Sequence, residues 1–378
     1  MNVLNPVRYM RRAATVAIPA HNEKDHIAPC LSSLARQDFD GCLDVVAFLN
    51  NCTDGTPDIV RRLVPSLPFR LHVLERRLEP SEANAGVARK LAMEAAAAVS
   101  SAEGVVLTTD ADSRVPPDWV SSHMAAIAGG ADAVAGMVEM DPEDAAALPF
   151  WLQAEEDRVQ AFGTLLDEID CLLDPDPADP WPRHIQHSGA NIAVRADWLA
   201  RVGGIPPIPL GEDRALFAAL RRADARIRHS RAGVVTVSGR LAGRAKGGMA
   251  DTIARRLSAP DEWIDDCFEP AAQRVRRARL RASLRHAWVN GLNQRTEAIV
   301  GKLRVASSVA REVLGGATFG NAWSALERAS PILSRQLVPA SALEAETRRA
   351  RRIVGHLRAR AEVIGREHQG DRRSSAFV

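Results

Sequence analysis

Hydrophobic and polar positions alternate in blocks along residues 13–139. Short apolar runs rich in β-branched residues occur at 14–19, 43–49, 69–74, 105–109 and 133–138. Between them, residues 23–37, 56–67, 82–99 and 116–128 carry a helical pattern. Strands and helices alternating at this spacing predict βαβ units. The strand runs are apolar at consecutive positions, as strands buried on both faces must be. The expected fold class is therefore α/β: an open, mostly parallel sheet flanked by helices.

Residues 140–186 break this rhythm. DPEDAAALPF opens a helical insertion, and LLDPDPADPWPRH closes it with Pro175, Pro177, Pro180 and Pro182, which no regular element accommodates. A compact loop over a site and a plain connector both fit. Alternation resumes with a strand at 191–195, a helix at 213–222 and a strand at 233–238. Beyond Pro260 the pattern is helical throughout, with helices expected at 271–289, 294–314 and 340–365. The pattern predicts a front domain over 1–260, carrying the 140–186 insertion, and an all-α extension over 261–378.

Composition changes this picture in one respect. The net charge of +2 conceals an asymmetry: residues 261–378 hold 21 Lys and Arg against 13 Asp and Glu, while residues 1–260 hold 28 against 34. The basic stretch Arg274, Arg276, Arg277, Arg279, Arg281 and Arg285 suits either an anionic lipid surface or helix packing, on the front domain or on a second subunit. Packing is the first reading, and it leaves room for a homo-oligomer through the C-terminal helices. Aromatic residues are 4% of the chain, too few for the stacking platforms of a nucleic-acid binder. Cys30, Cys42, Cys52, Cys171 and Cys267 form neither a CxxC nor a zinc spacing, which predicts a reducing, cytoplasmic setting. The first twenty residues lack the apolar core of a signal peptide, and no apolar run reaches the length of a membrane span.

Open α/β sheets bind ligands at the carboxyl ends of their strands. Four expected strand ends carry polar signatures: Pro19-Ala20-His21-Asn22-Glu23, then Asn50-Asn51-Cys52-Thr53-Asp54-Gly55-Thr56, then Asn84-Ala85-Gly86-Val87-Ala88-Arg89, then Thr108-Thr109-Asp110-Ala111-Asp112-Ser113. Each alone reads as a helix cap or a turn. All four in order, each after an alternating strand, is a far rarer event. Asp110 and Asp112 are the most informative. Two carboxylates turned toward one point repel unless a cation lies between them, and oxygen ligands suit Mg2+ or Mn2+ bound together with a substrate phosphate.

The order PAHNE, NNCTDGT, NAGVAR, TTDAD, HSGANIAVR and GED resembles the family 2 glycosyltransferases of the GT-A fold, over roughly residues 13–240. The resemblance implies a nucleotide-diphosphate sugar donor, UDP- or GDP-linked, and an acceptor hydroxyl. It implies that Pro19, His21, Glu23, Asn51, Asp54, Asn84, Gly86 and Arg89 line the nucleotide side. Many members have paired aspartates where this chain has Asn50-Asn51. Asp110 and Asp112 would hold Mn2+ or Mg2+, with His229 a further metal ligand. Gly189 and Asn191 would border the acceptor, with Trp181 beside them. Asp213 would be the base that takes the acceptor proton in an inverting transfer, and Glu212 would orient a sugar.

Arg240, Arg244 and Lys246 stand in a glycine- and alanine-rich loop and suit closure over a diphosphate. No QxxRW follows Gln273, which points to transfer of a single sugar rather than processive synthesis. Two alternatives remain open: a retaining GT-A transferase of the glycosyl-phosphoglycerate type, and a catalytically silent sugar-nucleotide binder. A dinucleotide-dependent oxidoreductase is disfavoured, since no GxGxxG follows the first strand.

Overall fold

In the computed structural model, residues 14–244, 247–291 and 294–374 are described. Their chain divides into two units: one from residues up to 147, 186–221 and 225–255, the other from 148–185, 222–224 and the residues from 256 onward. The expected insertion is thus apportioned by structure, with residues 148–185 grouped with the C-terminal helices.

The first unit is built on seven strands: β1 Ala14–Ala20, β2 Leu43–Asn50, β3 Arg70–Arg76, β4 Val105–Thr108, β5 Ala133–Met140, β6 Ile192–Arg195 and β7 Ile227–Val237. They lie in the order β3-β2-β1-β4-β6-β5-β7. All pairings are parallel except those of β6, which runs antiparallel to β4 and β5. The sheet is therefore mixed and mostly parallel. The reversal of β6 matters for the site: Thr108 pairs with Ile192, so the segment entering β6 arrives beside the carboxyl end of β4.

Helices α1 Ile27–Leu34, α2 Thr56–Leu63, α3 Ala85–Val99 and α4 Trp119–Ala128 connect the first five strands. After α5 Pro142–Ala147 comes α6 Phe150–Leu173, then α7 Ala196–Arg201 and α8 Glu212–Arg222. Alternate strand residues feed two cores, as a pleated strand requires. Val16 and Ile18 pack with Leu31, Val60 and Trp119 on one face. Ala17, Val46 and Phe48 pack with Ala92, Leu199 and Phe217 on the other. Both faces of the central strands are covered, which explains their mostly apolar runs.

The later helices are α9 Met249–Ser258, α10 Ala271–Val289, α11 Gln294–Lys302, α12 Ser307–Leu314, α13 Phe319–Ala329 and α14 Leu343–Ser374. In the second unit, Phe162, Leu166 and Ile169 of α6 form a core with Phe268, Val354 and Leu357. The single helix expected over 294–314 is two, because Leu303 is fully buried and Arg304 takes a left-handed backbone with φ of 53° between them.

The basic stretch of α10 turns inward. Arg274 meets Asp170 at 2.7 Å and Glu269 at 3.4 Å, and Arg277 meets Glu269 at 3.0 Å and Glu327 at 2.5 Å. Arg281 lies 3.4 Å from Asp174, and Arg285 pairs with the same carboxylate. Residues 274, 277, 281 and 285 recur at helical spacing on one face, while Arg276 and Arg279 face solvent. The basic stretch is thus in large part an internal charge ladder. Among the described residues, no helix is long and apolar enough to cross a membrane.

Candidate active site

The site is assembled at the carboxyl ends of β1, β2 and β4 and at the start of α8. Two arginines organise it. Arg89, on the first turn of α3, is 6% exposed. Its Nε donates to Glu212 Oε1 at 2.9 Å and its Nη2 to Asp110 Oδ1 at 2.7 Å. Its Nη1 donates to the Gly189 carbonyl at 2.9 Å and to Thr108 Oγ1 at 3.2 Å. Burial opposes the guanidinium charge, but Asp110 and Glu212 outweigh it and hold its proton more tightly than usual. Expected on the nucleotide side, Arg89 is instead engaged by carboxylates of the protein itself.

Arg240, in the loop after β7, donates from both Nη atoms to Glu23, each at 2.7 Å, and lies 2.9 Å from Asp112. Glu23 is buried, and Asp112 is pushed up to about 6 by burial and by the neighbouring Asp110, with Arg240 pulling the other way. This corner is short of positive charge. Thr109 Oγ1 and Ser113 Oγ, flanking the pair, are buried without a hydrogen-bond partner. The neighbouring carboxylates of Asp110 and Asp112 form an oxygen donor set that fits Mg2+ or Mn2+.

Asp213 accepts from Gly189 N at 3.0 Å and from Arg214 N at 2.6 Å. Burial raises its pKa, and so does Glu212, against the two backbone donors and Arg89. It is therefore a stronger base than an exposed aspartate. Gly189 joins the two halves, its carbonyl taking Arg89 and its N–H reaching Asp213. A Cβ at Gly189 would stand 2.4 Å from Arg89 Cζ, so the glycine clears room for a guanidinium. Gly86 is as constrained, with Ile208 O 1.8 Å from its virtual Cβ.

Other expected site residues serve the scaffold. Asn51 holds a left-handed turn at φ 50°, and its amide donates to Leu78 O and accepts from Leu78 N, at 2.9 and 3.0 Å. Asp54 accepts from Thr56 and Lys24, and Thr56 Oγ1 in turn accepts from Glu23 N. Those bonds tie the end of β1 to α2. His21 Nδ1 donates to Asn50 O at 2.8 Å, and Asn84 caps α3 by accepting from Val87 N. Pro19 lies within β1, opposite Phe48.

Asn191 is fully buried, not exposed toward an acceptor. It accepts from Trp119 Nε1 and donates to Met137 O and Gly233 O. His229 stands with His187 Nε2 at 3.1 Å and Arg221 at 3.2 Å. Two strands separate its strand β7 from β4, so it does not join Asp110 and Asp112. Among the described residues, no three His, Cys, Asp or Glu side chains are grouped to hold a metal. Trp181 belongs to the second unit and is 39% exposed. Arg244 Nε reaches Asn22 O at 3.2 Å. Lys246 lies outside the described residues.

A cavity of about 390 Å3 opens beside β2 and β3, lined by Leu49, Asn51, Cys52, Thr53, Pro57, Glu75, Arg76 and Arg77. Glu75, Arg76 and Arg77 were not among the expected site residues. Their position at the carboxyl end of a parallel strand is the signal that identifies them.

Residues 15–149 match the family model described as Glycosyl transferase family 2. No curated protein matches the sequence significantly. Among solved structures, TarS 1–349 from S. aureus is 18% identical, with a TM-score of 0.45 covering 93% of this chain and 92% of that one. The mannosyltransferase PcManGT from Pyrobaculum calidifontis, in complex with GDP-Man and Mn2+, is 19% identical at a TM-score of 0.43, covering 94% and 87%. Glucosyl-3-phosphoglycerate synthase from Mycobacterium tuberculosis, in complex with Mg2+ and UDP, is 18% identical at 0.40, covering 68% and 82%.

Proposed function

We propose, from the match of residues 15–149 to the Glycosyl transferase family 2 model, that the protein moves a single sugar from a nucleoside-diphosphate sugar to an acceptor hydroxyl, with inversion. The observation that carries this reading is the opposition of two kinds of carboxylate across one buried guanidinium. Asp110, on one side of Arg89, belongs to a pair that calls for a cation. Glu212 and Asp213, on the other, include an aspartate whose basicity is raised.

In this reading Asp110 and Asp112 hold Mg2+ or Mn2+, which supplies charge neutralisation for the departing diphosphate. Asp213 takes the acceptor proton as the hydroxyl attacks, and the raised pKa matches that role. Arg240 keeps its two bonds to Glu23 and gives up Asp112 to the cation, its remaining N–H donors meeting the donor's phosphates. The cavity beside β2 and β3 receives the nucleoside.

The test is thermal unfolding with UDP, GDP, TDP or CMP, with and without Mn2+. A nucleoside diphosphate at about 100 times its Kd stabilises the native state by about 2.7 kcal/mol, a shift of several degrees. Stabilisation by UDP or GDP that grows with Mn2+ supports the reading. No shift with any diphosphate overturns it.

A further inference from the structure

We propose that Arg89 is a positioning residue: it sets the base Asp213 in register with the Asp110–Asp112 pair, and it does not bind the donor. The inference rests on the transferase reading above and deepens it.

The number and direction of the bonds that Arg89 makes define its role. A guanidinium has five N–H donors fixed in one plane. Four contacts of Arg89 are already made within the protein, two to carboxylates, one to a carbonyl and one to a hydroxyl. The side chain is buried beneath the strand ends. Turning it toward a diphosphate would strand Glu212, itself 7% exposed, as a buried charge without its cation.

The bonds also run in a chosen direction. Glu212 opens α8, and Asp110 follows β4, elements that no backbone pairing links. Arg89 ties both directly, and it holds the carbonyl of Gly189, the residue whose own N–H donates to Asp213 Oδ2. A planar fork sets angles as well as distances, which the compact ammonium of a lysine does not do. The two close-packed glycines support the same reading. Gly189 leaves space for the guanidinium, and Gly86 lets the start of α3 approach the Ile208 carbonyl, a few residues before Glu212.

The experiment compares wild type, Arg89→Lys, Glu212→Gln and the double variant. The probes are UDP-glucose, UDP-N-acetylglucosamine and GDP-mannose with Mn2+, water serving as acceptor. Donor hydrolysis gives kcat and KM, and calorimetric titration with the matching diphosphate gives Kd and stoichiometry. We expect Arg89→Lys to lose ~10- to 100-fold in kcat, as misplacement of a reacting group does. The diphosphate Kd should stay within about twofold, at one site per chain. Because Glu212 acts through the same fork, adding Glu212→Gln should cost little beyond either single change.

A Kd that weakens in step with kcat/KM makes Arg89 a donor ligand and overturns the inference. So does a fall in binding stoichiometry that accounts for the lost turnover, or independent, additive losses in the double variant. A wild type that binds no nucleoside diphosphate overturns the transferase reading beneath it, and the two failures are thereby distinguished.

Discussion

Glu23 and Arg240 stand 217 residues apart in the chain and meet through two hydrogen bonds of 2.7 Å. The same guanidinium lies 2.9 Å from Asp112. Arg240 thus supplies, in the protein alone, part of the positive charge that the Asp110–Asp112 corner requires. Arg240→Gln should remove that competitor and tighten Mn2+ binding to the nucleotide-free protein, on the order of tenfold. The same change should lower stability by about 2 kcal/mol, because Glu23 is left buried and unpaired. Titration followed by electron paramagnetic resonance measures the first effect. Weaker Mn2+ binding in the variant would show that Arg240 assists the cation rather than standing in for it.

Gly189→Ala and Gly86→Ala place a methyl group against Arg89 and against backbone, where nothing can give way cheaply. Each should cost about 1–3 kcal/mol, the usual range for overpacking. Gly55→Ala meets no atom within 4 Å and has a φ of −73°, so it should change stability by less than about 0.5 kcal/mol. Urea unfolding of the three variants orders them, and equal stabilities would contradict the packing argument.

His123 makes stability depend on pH. It is fully buried, its Nδ1 donates to Trp119 O, and burial brings its pKa down to about 4 from 6.5. A histidine depressed on folding contributes fully above its unfolded pKa and loses that contribution as pH falls toward the folded one. Stability should therefore decline by roughly 3 kcal/mol between pH 6.5 and 4 from this residue. His123→Gln should flatten that part of the profile. Denaturant midpoints across the interval test it, and an unchanged slope in the variant would assign the decline elsewhere.

Asp213→Asn should reduce turnover by ~10²- to 10⁴-fold while leaving diphosphate and Mn2+ binding intact. In the wild type only the ionised carboxylate accepts a proton. The rate should fall as pH drops through a pKa above the ordinary carboxylate range, the direction that burial and Glu212 impose. Near-normal turnover in Asp213→Asn would remove it from the role of base.

Much of the sheet was legible because strands covered on both faces are apolar along most of their length, as in β1 and β2. The direction of β6 was not legible, since an apolar run reads the same both ways. Acidic and basic site residues could be named from their places at strand ends. Their partners could not: Arg89 and Glu212 are 123 residues apart, and no local pattern encodes that bond. The asparagines misled for a related reason. An amide suits a ligand and a turn equally well, and the amides of Asn51 and Asn191 are engaged within the protein, by backbone groups of Leu78, Met137 and Gly233 and by the Trp119 indole. Helix α13 escaped notice because Gly316 and Gly320 surround its cap, Thr318, and weaken the helical pattern there.

The charge ladder of the second unit has a consequence for the order in which the protein is made. Its acidic members Asp170 and Asp174 and its apolar residues Phe162, Leu166 and Ile169 emerge early in synthesis. Arg274, Arg281 and Arg285 follow about a hundred residues later, and Val354 and Leu357 later still. During that interval Asp170 and Asp174 are without the arginines they meet in the folded protein, and the apolar side of α6 is without Val354 and Leu357. Unpaired carboxylates of one sign on that segment oppose its association with other copies of itself. The opposite signs around α6 and α10 therefore join only once α10 has been made.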